Sequence, residues 1–226
     1  MKGKNLLIAL LLSVYSNVSY AQQNNVYVDQ IGAGSTINFT QTGSGNAIGN
    51  ATTKAIINGG NNLVTMSQIG NTNINVLNVQ GDGVIISSSV TGDSNNITVL
   101  CGTSGDCSSS NIANTVTGDG NTVEQNSDTA TVSTVNIISD NNTVIIKNTS
   151  TAVSPSKSNV DISGGGGNQV DITQAGAAGA NGHDASIVIV GATNNVDIRQ
   201  GGSVDSKVIS TITGSGNALT IKSNHN

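Results

Sequence analysis

Two consecutive stretches near the start of this chain repeat at an offset of 11 residues: Val26-x-Val28-x-Gln30-x-Gly32-x-Gly34 and Ile37-x-Phe39-x-Gln41-x-Gly43-x-Gly45. The same alternation returns as Val64-x-Met66-x-Gln68-x-Gly70, Val170-x-Ile172-x-Gln174 and Val196-x-Ile198-x-Gln200, with degenerate copies between them. Seventeen units run from Val26 to Leu219, spaced by about 12 residues on average. Positions i, i+2 and i+4 of a strand share one face. Each unit is therefore a short strand with two apolar residues and an amide on its inner side. The Gly and Asn that follow tolerate the positive φ of a tight turn.

One such unit has no means of burying its apolar face. Two units set back to back bury it, and pairs stacked along an axis form a β-solenoid. The predicted fold is all-β, a two-sided β-solenoid of about eight coils, ~40 Å long at the usual strand spacing. Its predicted core includes Val26, Val28, Ile37, Phe39, Val64, Met66, Val170, Ile172, Val196 and Ile198. Inward Gln and Asn satisfy their amides by bonding to equivalents one coil away.

Composition supports strands over the alternatives. Asn, Ser, Thr and Gly number 32, 28, 24 and 28, about half of 226 residues. They are weak helix formers. Disorder at this polarity usually comes with Pro, Lys, Glu or high net charge. Here there is one Pro, 9% charged residues, and 24 Ile with 23 Val, which favours strands.

Residues 1–21 have the layout of a secretory signal peptide: basic Met1–Lys4, apolar Leu6–Val14, and Ser19-Tyr20-Ala21 before the cut. The repeat domain is then 22–226, and the expected location is extracellular. No segment is predicted to span a membrane, since the Leu6–Val14 run is too short. Beyond residue 21 the only aromatics are Tyr27 and Phe39, too few for the girdles of an outer-membrane barrel. Six basic residues against thirteen acidic ones there argue against nucleic acid as a partner.

Little in the sequence suggests catalysis. Gly92-Asp93-Ser94-Asn95 invites comparison with a nucleophile turn, but the same slot recurs as Gly118-Asp119-Gly120-Asn121 and reads as a strand-end turn. His183-Asp184 has no Ser placed to pair with it, and no enzyme activity or cofactor is expected. Asp82, Asp93, Asp106, Asp119, Asp128 and Asp140 follow strand ends, where turn chemistry accounts for them. A calcium-type glycine repeat fails at 164–172, where Gln169 holds the Asp slot, and Thr40 with Thr42 is an isolated pair rather than an ice-binding rank. Cys101 and Cys107 lie six apart in a chain expected to meet an oxidising compartment. A disulfide between them is predicted, the alternative being two unpaired small residues. Zinc would need four ligands, and His183 and His225 are far away in sequence.

The spacing apolar-x-apolar-x-Gln-x-Gly-x-Gly-Asn, best preserved from Asn25 to Asn46 and next from Asn62 to Asn73, resembles the curlin repeat of curli fibre subunits. That resemblance implies a secreted bacterial protein that polymerises at the cell surface as a functional amyloid. Its strand-turn-strand solenoid would add subunits at open ends and support adhesion and biofilm. It implies ladder roles for Gln30, Gln41, Gln68, Gln174 and Gln200, and turn or ladder roles for Asn46, Asn73, Asn121 and Asn217. The implied partners are further curli-like subunits and an outer-membrane export and nucleation machinery. The chain would be a major or a minor, nucleating subunit. The rival reading is a non-polymerising secreted adhesin module that binds glycan or protein through its loops. A polymerising subunit leaves its end coils bare, whereas a monomeric module caps them.

Overall fold

The computed structural model describes residues 23–102, 106–127, 131–147, 156–175 and 182–225. The expected signal peptide lies outside them, as does Asp128. Every strand pairing among the described residues is parallel and joins one coil to the next, and no helix occurs there. The fold is a β-solenoid. Sheet one stacks nine strands, from Asn25–Val26 through Ala47–Ile48 to Ala218–His225. Sheet two stacks eight rungs, from Thr36–Thr42 to Lys207–Thr213, with the fourth split into Asn111–Ala113 and Val116–Thr117. The split sits at Thr115, whose φ of 73° bends the strand.

The alternation read in the sequence is the alternation of burial. Along Leu63–Ile69 and Ile85–Thr91 every second residue is buried and those between are exposed or, at Thr65 and Ser67, half-buried. Val64, Met66, Val170, Ile172, Val196 and Ile198 are all fully or almost fully buried. β-branched side chains fit this geometry because a pleated surface packs them against the coil above and below. Val28, Ile37 and Phe39 are only half-buried, and Val26 is 48% exposed. They belong to the first coil, which among the described residues has a neighbour on one side only.

The expected two-sided section is enlarged at one end. Over the first three coils a third sheet of Val28–Ile31, Ala55–Asn58 and Asn78–Gln80 adds a side. The corner is made at Gly49, with φ +65°, and is tied by the Ala55 N–H donating to the Tyr27 carbonyl at 2.8 Å. Ile57, Leu77 and Val79 fill the widened core. Cys107 lies where this sheet ends. Cys101 and Cys107 are joined by a disulfide with Cα atoms 5.7 Å apart. The Cys107 N–H donates to the Gln80 carbonyl at 3.1 Å and that of Ser109 to Asp82 at 2.9 Å.

Candidate assembly site

The turn from sheet two to sheet one has one design in every coil. A Gly or Ser opens it, a polar or small residue follows, the third residue takes a left-handed φ, and Asn closes it. At Gly92 the φ is +126° and an added Cβ would strike the Gly118 carbonyl of the next coil. Glycine is required there both for the dihedral and for the close approach.

The closing asparagines, preceded by Asn24 ahead of the first strand, form one continuous ladder: Asn24, Asn46, Asn73, Asn95, Asn121, Asn142, Asn168, Asn194 and Asn217. From Asn46 to Asn194 they are buried. From Asn73 onward each Oδ1 on the preceding coil accepts both the backbone N–H and the Nδ2–H of the next Asn, at 2.9–3.1 Å. The other Nδ2 hydrogen goes to a turn carbonyl, as from Asn73 to Gly92 at 2.7 Å. This arrangement leaves few buried amide groups unmet. Asn46, Asn73, Asn121 and Asn217 from the sequence reading all lie on it. The five others were missed, although each interior one follows a turn-opening Gly or Ser by three residues.

A second ladder runs on the outside of the same turns. The backbone N–H of Ser44 donates to Asn71 Oδ1, that of Asn71 to Asp93, that of Asp93 to Asp119 and that of Asp119 to Asp140, at 2.7–3.0 Å. The aspartates read as turn residues thus also stitch coil to coil.

The glutamines do not form one ladder. Gln41 donates to Gln68 Oε1 at 2.7 Å on sheet two, and Gln174 to Gln200 Oε1 at 3.1 Å beside sheet one. Between rungs 3 and 7 the sheet-two slot holds Val90, Val116, Ile137, Ile162 and Ile189. Gln30 is a correction: it is exposed, and its register partner is Ile57, which has no amide to offer. The third sheet takes the strand holding Gln30 away from the two faces where glutamines meet.

No three His, Cys, Asp or Glu side chains converge on a metal-sized site among the described residues. A shallow polar groove of ~260 Å³ lies on sheet one against Asp171, Asp197 and Arg199. Arg199 donates to Asp197 at 2.9 Å. That bond, and then the carboxylate charge, hold the guanidinium above its ordinary pKa.

The two ends carry the remaining chemistry. At one, Val26 and the half-buried Ile37 and Phe39 show core atoms to solvent. At the other, Leu219 and Ile221 are only partly buried, and Asn217 is exposed. Asn217 donates to Asn194, yet its own Oδ1 meets no donor from a further coil among the described residues. No helix covers either terminal strand there. No protein-family model, no curated protein and no solved structure matches the chain.

Proposed function

We propose that this chain is a structural subunit of a curli-like extracellular fibre, growing by strand addition between the end coils of successive copies. One observation carries the reading. The inward column of sheet one is sealed in mid-stack, with Ile48, Ile97, Val123, Val144, Val170 and Val196 fully buried, and it opens at both ends, at Val26 and Leu219. Bare core and unpaired strand edges favour docking of another strand, and the asparagine ladder offers an acceptor at Asn217 to extend. Charge opposes this weakly, with 9% of residues charged. Assembly rather than catalysis also fits a chain whose polar side chains are spent on coil-to-coil bonds. Adhesion and biofilm support follow from such a fibre, with export and nucleation partners at the outer membrane.

The test replaces Val28 and Phe39 together by Lys, placing charge inside the first coil, where unpaired ion burial costs several kcal/mol. The double variant is expected to be secreted but to lose thioflavin-T growth and seeding. Growth equal to that of the unmodified chain removes the first coil as a templating end. An unmodified chain that stays monomeric for days, alone or with a curli-like partner, favours the adhesin module instead.

A further inference from the structure

Sheet two has an outer face unlike the rest of the surface. Of eleven large apolar side chains exposed among the described residues, seven point outward from it. Leu63, Ile85 and Val132 stand in the column at the strand starts; Ile69, Ile138 and Val190 stand in the column at the strand ends. Between these two rails run small polar residues, such as Thr65, Ser67, Ser87 and Thr134. Over the first five rungs no outward position is charged. Sheet one differs, since Glu124, Asp171, Asp197 and Arg199 project from it.

We propose that this face is the lateral interface of a dimer, in which a second copy of the chain packs sheet two against sheet two with the two solenoid axes parallel. The inference goes beyond the fibre reading, because it requires no end-to-end growth. Eight rungs of seven residues span roughly 38 by 23 Å, or ~870 Å². That matches the ~800 Å² per partner of a standard stable interface. The net charge of the whole chain is −5, and the outward charges of this face, Lys157, Asp161, Asp184 and Lys207, are confined to its last three rungs and balance, so two copies meet there with little net repulsion.

The orientation follows from the same columns. A two-fold axis along the solenoid sets each rung against its own copy and crosses the columns. Leu63 then opposes Ile69 of the second copy, and Val132 opposes Ile138. Lys157 opposes Ser163, Asp184 opposes Val190 and Lys207 opposes Thr213, so no like charges meet. A two-fold along the strands would reverse the rungs and press Lys157 onto Ile85 and Asp184 onto Leu63, desolvating ions on apolar surface. The parallel arrangement leaves one such contact, Asp184 on Val190, in place of two.

The test is sedimentation velocity on freshly purified chain, before thioflavin-T signal rises. A reversible dimer is expected. Ile69→Lys with Ile138→Lys should leave it monomeric, while Asn96→Lys on the opposite sheet should not. Should the lysine pair lower the melting temperature, Ile69→Thr with Ile138→Thr serves instead, since Thr91 and Thr117 already fill that column. It should weaken the dimer at least tenfold. For orientation, Val132→Cys with Ile138→Cys should give a covalently cross-linked dimer, because the two sites are ~20 Å apart within one chain and meet only between parallel copies. A monomeric unmodified chain that still forms fibres overturns the pairing and leaves the fibre reading standing. A dimer indifferent to both pairs of substitutions overturns the choice of face. A dimer without fibres supports the pairing and removes the fibre.

Discussion

Asn73 Oδ1 accepts two bonds from Asn95, one from its backbone N–H at 3.0 Å and one from its Nδ2 at 3.1 Å. One oxygen thus fixes both the position of the next coil and the rotamer of its side chain. Repeated along the stack, this relationship sets the vertical register of sheet one.

Asn95→Ala should therefore cost far more than its volume suggests. It removes the Nδ2 bonds to Asn73 and to the Gly118 carbonyl, and the Oδ1 that receives Asn121. Buried groups left unpaired cost about 1–3 kcal/mol each, so a loss of about 3–5 kcal/mol is expected by denaturant unfolding. Asn217→Ala, at the exposed end, should cost under ~1 kcal/mol by the same bond arithmetic.

Asn75 is expected to behave in the opposite way. It occupies the apolar column of sheet one between Ile48 and Ile97, fully buried, and neither its Oδ1 nor its Nδ2 has a hydrogen-bond partner. Asn75→Val, the residue type at the equivalent positions 123 and 144, should stabilise by about 1–3 kcal/mol. A thermal midpoint that stays the same or falls would show that the amide is satisfied in solution.

Asp93, Asp119 and Asp140 stack one coil apart, and each accepts or passes on a turn N–H. At ~4.8 Å in water, neighbouring charges repel by about 1 kcal/mol before salt screening. Asp119→Asn keeps the acceptor, as Asn71 does in the same slot. It should raise stability at low ionic strength by up to ~2 kcal/mol, with the gain fading in salt. Asp119→Ala loses the acceptor and should be less stable than Asp119→Asn at every salt concentration.

Reduction of the Cys101–Cys107 bond opens a short ring, for which chain entropy assigns about 2 kcal/mol. Cys107 and Ser109 hydrogen-bond to Gln80 and Asp82 at the end of the third sheet. Hydrogen exchange should quicken near Gln80 and Asp82 while the strands beyond Thr143 keep their protection.

Strand type, inner face and turn positions were legible in the sequence because they are local: alternation of period two and a Gly or Asn after each run determine them. Val64, Met66, Val170 and Ile198 are buried for that reason. Alternation also marked Val26 and Phe39 as core, but their exposure depends on having a coil above, which no local pattern encodes. Only the tertiary structure decided which residues stack. Successive ladder asparagines lie 21 to 27 residues apart, so coil length varies while the strands stay in register. The differences are absorbed by loops and by the third sheet, which is why Gln30 meets Ile57 and Asn75 falls among isoleucines. A strand's periodicity fixes the face each side chain takes; its partner one coil away is set by the length of chain between them and by the amide bonds that lock that length in place.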